Sequence, residues 1–311
     1  MAEFSVNLLG LRIFVSCAGF VGNVFFILCI IRNKFSHVKS FELFLLGLTA
    51  ANLEEICIIN IYDVIILQAY STTGTWSCRL LKFLTLFGEI ASILFTVIIS
   101  IFRYQKLRDA NNRVNPIYLD SIRSAWMLSG VCVTLSVLVC LPIFTINHQG
   151  SAENVTRNDS SYCPPDFFQC DENHCPKQNR AYKNLFILVC HLLPLIIVTV
   201  TSCLIISVLL KQRKAVTPVV NVSRSNQHGR RNKDPRLHRS TVAVVAAMGL
   251  FQVDWTLHLI FQWSFSPYDL PFWDEIEFFI SISYTSLCPY VYGIGIGLFS
   301  LNNLNLCICE T

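Results

Sequence analysis

The chain has 311 residues, of which 53% are hydrophobic and only 14% are charged, whereas a soluble domain usually carries about 25% charged residues. This composition excludes an ordinary soluble domain and predicts an integral membrane protein. The net charge is only +4, and we find no nucleic-acid motif, so we expect no nucleic-acid partner.

Seven apolar segments follow one another along the chain, and each is long enough to cross a bilayer core of about 30 Å at roughly 1.5 Å per residue. We find no internal repeat and no separate soluble domain, so we expect residues 1–311 to form one domain. The predicted fold is an all-α membrane protein, a bundle of seven transmembrane helices. The predicted spans are residues 8–31, 41–68, 78–104, 124–146, 181–210, 240–263 and 276–299.

Basic residues are unevenly divided between the loops. The first span has no cleavable signal character, and we expect it to remain as an anchor. The stretch 211–239 holds nine Lys and Arg, and the first and third loops are also basic, whereas the second and sixth loops hold at most Arg79. Because basic loops stay in the cytoplasm, we expect the amino terminus outside. We also expect a multi-pass protein of the plasma membrane.

The fourth loop supports this orientation. It carries two glycosylation sequons, at Asn154 and Asn158, which are modified only on the outer side of the membrane. A third sequon, at Asn221, falls in a loop predicted to be cytoplasmic and should stay unmodified.

Four of the fourteen cysteines fall on the predicted outer side. They are Cys78, Cys163, Cys170 and Cys175. An even number in an oxidising compartment permits two disulfides in three possible pairings. The run that includes His174 does not have zinc-site spacing, so we expect no metal.

Three polar residues share one face of the third span. Lys82, Thr85 and Glu89 recur at intervals of three and four, which places them on one side of a helix. An ionisable residue inside a span costs about 2.5 to 3.5 kcal/mol on insertion scales, so each is a functional hypothesis by default. As alternatives, Lys82 extends to the lipid headgroups and Glu89 is satisfied by another helix.

Spans two, five and six add further ionisable groups. Glu54 and Glu55 lie at the middle of span two, and Asp63 lies near its outer end. In span six, Asp254 and His258 are four residues apart on one face, and these two side chains either line a cavity or bond to each other.

Catalysis is not expected from these groups. His191 lies in span five close to Pro194, and it has no hydrolase motif beside it. No Gly-x-Ser-x-Gly elbow accompanies the histidines, so we expect neither an enzyme nor a cofactor.

Several short motifs occur in an order and spacing that resembles the rhodopsin-like G-protein-coupled receptors, and the resemblance extends over all seven spans. Each motif is weak by itself, but the ordered set is specific. The matching residues are Gly22-Asn23, Leu48 and Asn52, the interval from Cys78 to Arg103, Pro194, and Cys288-Pro289-Tyr290-Val291-Tyr292.

The departures from that family pattern narrow the resemblance. Phe102 replaces the acid before Arg103, Asn52 replaces an aspartate, Cys288 replaces an asparagine, and residues 241–263 contain no proline. This pattern looks like the vomeronasal type-1 receptors and is closest to the fish olfactory receptors related to class A. Bitter-taste receptors are neighbours, but they usually lack the cysteine that begins span three.

The resemblance implies a chemosensory receptor that binds a small organic semiochemical, a pheromone or odorant, in the outer cavity and activates a heterotrimeric G protein. The resemblance places Arg103 and Tyr104 on the G-protein side, together with Tyr292. The implied ligand-binding residues are Lys82, Thr85, Glu89, Asp63, Asp254 and His258.

The resemblance also implies covalent features and a resting state. Cys78 is expected to pair with Cys163, and Cys307 and Cys309 are candidates for palmitoylation, with free thiols as the alternative. Without an acid beside Arg103 we expect appreciable basal signalling, and the missing second-span acid makes a sodium site doubtful.

Two other functions remain open on the sequence. A transporter or channel would also place charges at mid-membrane, but it often shows paired repeats and broken helices, which we do not find. A receptor for a peptide or an amine is the third possibility, and the short amino terminus argues against a large ligand.

Overall fold

The structure is a computed structural model that describes residues 2–34, 39–68, 75–112, 121–145, 168, 176–214, 235–264 and 273–296. These residues form seven helices and contain no strand. The helices are α1 (Ala2–Lys34), α2 (Ser40–Gln68), α3 (Thr75–Asn112), α4 (Ile122–Cys140, extended by a 3₁₀ turn over Leu141–Phe144), α5, α6 (Pro235–Ser264) and α7 (Trp273–Ile296). The fifth helix, α5, is an α-helix over Lys177–Phe186, a π-helix over Ile187–Leu192 and an α-helix again over Leu193–Lys214.

The predicted seven-helix membrane bundle is confirmed. Six of the helices are long and apolar enough to cross a membrane, and α7 carries three acids near its first turns, at 274, 275 and 277. In the most apolar stretch of α3, 72% of the residues are buried, against 22% in α4. The central helix of the bundle is therefore α3, and α4 lies at its periphery.

The Gly-Asn pair of α1 joins that helix to α7. Asn23 Nδ2 donates to the carbonyl oxygen of Gly19 at 2.9 Å and to that of Thr285 at 3.0 Å. A Cβ atom at Gly22 would lie 2.8 Å from the ring of Tyr290, whose hydroxyl donates to the Ala18 carbonyl at 2.7 Å. The small residue is required because the two helices approach this closely.

A second polar contact joins α2 to α3. Ser92 Oγ donates to Asn52 Oδ1 at 2.7 Å, and both side chains are buried. One turn further along α3, Thr96 Oγ1 lies 2.7 Å from the hydroxyl of Tyr284 on α7. These bonds satisfy groups that would be costly to bury alone, and they fix the register of three helices.

The π-helical stretch of α5 has a local cause. Pro194 has no backbone N–H, and its ring clashes with the carbonyl of the residue four positions earlier, Cys190. The Leu193 N–H bonds instead to the Leu188 carbonyl, five residues back. This change of pitch turns His191 into the bundle, where it is only 5% exposed.

Phe102 also has a packing role. Its fully buried ring stacks on Phe41 at 6.1 Å and meets Phe44 edge-on at 5.7 Å between ring centroids. The aromatic residue in place of an acid therefore anchors α3 against the first turns of α2.

Candidate functional site

The polar face predicted on α3 points into the bundle. Lys82 and Glu89 are each 8% exposed, so both belong to the interior of the bundle rather than its lipid-facing surface. Thr85 is half-buried between them, and its hydroxyl donates to the Leu81 carbonyl of its own helix at 3.0 Å. The Thr85 oxygen can still accept a hydrogen bond from another group.

Three side chains from three helices meet at Glu89. The distance from Glu89 Oε1 to His191 Nε2 of α5 is 3.4 Å. His258 of α6 completes the group, and one ligand-type atom from each of the three residues lies within 4.8 Å of the others. We call Glu89, His191 and His258 the central cluster.

Aromatic rings enclose the central cluster. The indole of Trp255 lies 4.9 Å from the His191 ring and 5.0 Å from the His258 ring, between centroids. Phe186 meets His191 edge-on at 5.2 Å. Phe186 also packs against Phe168, with 5.5 Å between ring centroids. Phe168 is the one residue that the structure describes between positions 146 and 175.

Asp254 and His258 do not bond to each other. Asp254 accepts a hydrogen bond from the Ser283 hydroxyl of α7, whereas the His258 ring faces His191 and Trp255. The sequence left two alternatives open for this pair, and the structure removes the one in which the two side chains bond to each other. The two residues instead join α6 to different neighbours.

Carboxyl groups of α2 lie beside the central cluster. Glu55 is 2% exposed and is close enough to Glu54, Glu89 and Asp254 to feel their charges. A Cβ atom at Gly88 would lie 2.1 Å from Glu54 Oε2, so this glycine makes room for the carboxyl group. The site is rich in acidic groups, with Lys82 as a cationic side chain on the same face of α3 as Glu89.

Arg103 lies at the opposite end of α3 from Cys78, and we refer to the two ends of the bundle by these residues. The Arg103 guanidinium Nη2 donates to Ser240 Oγ of α6, and the Arg103 Cζ lies 3.4 Å from the ring centroid of Phe41. Tyr292 of α7 is buried and close enough to interact electrostatically with Arg103, whereas Tyr104 is half-buried. Arg103 is thus held by a hydroxyl and a ring, although no acid adjoins it on α3.

Several predicted residues are not described by the structure. Cys78 is buried at its end of α3 and is not a free thiol, but its predicted partner lies outside the described residues, so the pairing remains a prediction. The side chain of the predicted ligand residue in α2 is also not described. The residues concerned are Cys163, Asn154, Asn158, Cys307, Cys309 and, for its side chain, Asp63.

Sequence reasoning identified Glu89 and His258 as ligand candidates but not their contact with His191. His191 was recognised only as a histidine near Pro194. The signal that could have found it is that proline, because a proline inside a helix displaces the backbone one turn before it.

A comparison with known families identifies the fold as that of a receptor class. Residues 22–290 match the 7 transmembrane receptor (rhodopsin family), a match that begins inside α1 and ends inside α7. No curated protein matches the chain. Because the match covers most of the sequence and all seven helices, the chain belongs to the rhodopsin family of seven-transmembrane receptors, which are membrane-embedded signalling proteins that couple to G proteins.

Proposed function

We propose that this receptor is chemosensory and responds to a small organic molecule, a pheromone or odorant, that binds beside the central cluster. The observation that carries the proposal is the buried group of Glu89, His191 and His258 between α3, α5 and α6. A site of this type combines apolar walls with a few polar groups that orient the ligand. Here the walls are aromatic and the polar groups converge from three helices.

The polar groups of the site determine what a ligand must offer. Glu89 accepts hydrogen bonds or pairs with a cation, Lys82 pairs with an anion, and the two histidines act as donor or acceptor. A molecule with one polar group and an apolar body therefore fits better than a large charged peptide. Trp255 and Phe186 would contact the apolar body.

The ligand acts by a shift between two states of the bundle. Glu89 and Arg103 are 14 residues apart on α3, a distance of about 21 Å at 1.5 Å per residue, so the ligand does not touch the residue that meets the G protein. Binding that favours one of two existing helix arrangements transmits the signal, and no covalent step is needed.

Packed side chains connect the two regions of the bundle. Trp255 lies 5.9 Å from Phe251, and Phe251 lies 5.4 Å from Tyr284, between ring centroids. The hydroxyl of Tyr284 then meets Thr96 on α3. A change at the central cluster that moves α6 would therefore disturb α7 and the central helix.

The same proposal includes the orientation and the branch of the family. In it, Cys78 and the amino terminus face the outside of the plasma membrane, Cys78 pairs with Cys163, and Asn154 and Asn158 are glycosylated. Phe102, Asn52 and Cys288, which replace three polar or acidic residues of the family pattern, support the vomeronasal type-1-like branch.

Nucleotide exchange on a G protein tests the proposal. The receptor is reconstituted with a heterotrimeric G protein and screened with panels of small organic acids, amines and steroids. We expect members of one class to accelerate exchange, and Arg103→Ala to abolish the response at unchanged surface expression. Ion flux or solute uptake without a G protein, or a response that survives Arg103→Ala, would contradict the proposal.

A further inference from the structure

The central cluster has the composition of a metal site as well as that of a ligand pocket. We propose that Glu89, His191 and His258 bind one Zn²⁺ ion. Two imidazoles and one carboxylate are a common set of three protein ligands for zinc, and they leave one coordination position open. The inference goes beyond the proposed function, because zinc binding does not depend on the identity of the organic ligand or of the G protein.

The distances within the cluster suit a tetrahedral ion. With metal–ligand bonds of about 2.0 to 2.2 Å, neighbouring donor atoms of a tetrahedron are roughly 3.3 to 3.6 Å apart. The observed distance from Glu89 Oε1 to His191 Nε2 is 3.4 Å. The third donor, on His258, lies within 4.8 Å of the other two, so a side-chain adjustment of at most about 1.5 Å closes the site.

His191 provides an independent observation. Its side chain is 5% exposed, and neither Nδ1 nor Nε2 makes a hydrogen bond within the described part of the chain. A buried polar atom without a hydrogen-bond partner costs about 1 to 3 kcal/mol. The Nε2 atom lies on the side of Glu89, where an ion held by both residues would use the imidazole lone pair.

The charge around the cluster also favours a cation. Glu55 is buried beside Glu89 and interacts electrostatically with it, with Glu54 and with Asp254. Burying several carboxylates together is costly unless a cation or a proton neutralises them. A divalent ion bound by Glu89, His191 and His258 would offset this charge.

The three donors come from rigid elements. Each belongs to a different helix, and the π-helical stretch of α5 directs His191 towards the other two. An ion bound there would tie α3, α5 and α6 together near the middle of the bundle. The open fourth position would take water or a donor atom of the organic ligand.

Direct zinc binding tests the inference without any signalling readout. The full-length receptor is purified with an affinity tag that contains no histidine, treated with a chelator, placed in lipid nanodiscs and titrated with Zn²⁺ by calorimetry. Five of the seven histidines lie outside the cluster, and a matched background replaces them with glutamine. They are His37, His148, His174, His228 and His238.

We expect one zinc ion per receptor in the wild type and in the five-histidine background. Because the loss of an outer-shell partner alone weakens metal binding 10- to 100-fold, Glu89→Gln, His191→Gln and His258→Gln should each weaken it by at least about 100-fold. Zinc affinity that is unchanged from the wild type in all three variants, or no binding by the folded wild type at micromolar zinc, would overturn the inference.

X-ray absorption on the zinc-loaded wild type gives a second measurement that does not depend on how the variants fold. We expect nitrogen and oxygen neighbours at about 2.0 to 2.2 Å and no sulfur neighbour at about 2.3 Å. A sulfur shell would assign the ion to cysteine ligands and would equally refute the site proposed here.

Discussion

Arg103 Nη2 donates a hydrogen bond to Ser240 Oγ, and this bond joins the Arg103 end of α3 to the first turns of α6. Arg103 is 6% exposed, and its guanidinium also lies over the ring of Phe41 on α2. A neutral hydroxyl and a ring thus hold the arginine, where the sequence indicated only that no acid lies beside it. Both contacts are weaker than a buried ion pair, so the expectation of basal signalling stays a prediction.

Removing the Ser240 hydroxyl should release Arg103. A hydrogen bond to a charged group contributes about 1.5 to 3 kcal/mol, so Ser240→Ala should shift the equilibrium between resting and active bundles by roughly tenfold or more. The measurement is ligand-free nucleotide exchange, which we expect to rise. Ser207→Ala is the matched control, because the Ser207 hydroxyl is exposed and, within the described ranges, bonds only to its own helix. A basal rate that stays the same in both variants would show that the bond does not restrain α6.

Replacing the Phe41 ring should have a smaller effect in the same direction. The guanidinium Cζ of Arg103 is 3.4 Å from the ring centroid, and a contact of this type contributes about 0.5 to 2 kcal/mol. Phe41→Leu should therefore raise ligand-free exchange by a few-fold. Combining Phe41→Leu with Ser240→Ala should give less than the product of the two effects, because both act on one side chain. Full independence of the two substitutions would count against a shared role.

A methyl group at Gly88 should disturb the acidic side of the site. Its Cβ would lie 2.1 Å from Glu54 Oε2, so the flexible Glu54 side chain would have to turn away. The Cβ would also lie 3.1 Å from the Glu55 Cα atom, so α2 and α3 would have to separate by a few tenths of an ångström. Overpacking of this kind costs about 1 to 3 kcal/mol, and Gly88→Ala should lower the thermal-unfolding midpoint of the receptor. Gly130→Ala on α4 is the control, since a Cβ there meets nothing within 4 Å. Because alanine favours helices, that variant should be as stable as the wild type or slightly more stable. Equal stability of the two variants would contradict the close approach of α2 and α3.

Two asparagines offer a comparison of contacts between helices with contacts within one helix. Asn23 Nδ2 bonds to the Thr285 carbonyl of α7, whereas among the described residues Asn60 Nδ2 bonds only to the Ile56 carbonyl of its own helix, at 2.6 Å. Asn23→Ala should lower the free energy of unfolding by about 1 to 3 kcal/mol, and Asn60→Ala should change it much less. Thermal unfolding in detergent measures both. A loss from Asn23→Ala no larger than that from Asn60→Ala would show that the bond between α1 and α7 adds little stability.

The bundle and one face of the site could be predicted from the sequence. Apolar runs determine where helices cross a bilayer, and the intervals between Lys82, Thr85 and Glu89 determine that they share a face. Both inferences are local, because each depends only on helix geometry.

The contacts between helices could not be predicted in this way. Glu89 meets His191 because α3 and α5 pack together and because Pro194 alters the pitch of α5. The proline is visible in the sequence, but the sequence does not show which helix His191 faces as a result. Likewise, Asp254 could be placed on one face of α6, but the choice of Ser283 over His258 as its partner depends on where α7 lies.

The substitution at Phe102 shows the same limit. The sequence identifies an aromatic residue in place of an acid, and it gives no indication that the ring packs on Phe41 and Phe44. The sequence shows that the acid is missing. That Phe102 packs against α2 instead, and that Ser240 of α6 bonds to Arg103, depends on how the neighbouring helices are placed.

The most direct test of the ligand site uses Glu89, the one residue shared by the polar face of α3 and the central cluster. Nucleotide exchange is measured against ligand concentration for the wild type, for Glu89→Gln and for Thr134→Val. Thr134 is a control at an exposed position of α4, where its hydroxyl bonds to the Gly130 carbonyl of its own helix. We predict that Glu89→Gln lowers ligand potency by roughly tenfold or more, as expected for the loss of a charged hydrogen bond, at unchanged surface expression. Equal potency of the Glu89→Gln receptor and the wild type would contradict a ligand site at the central cluster.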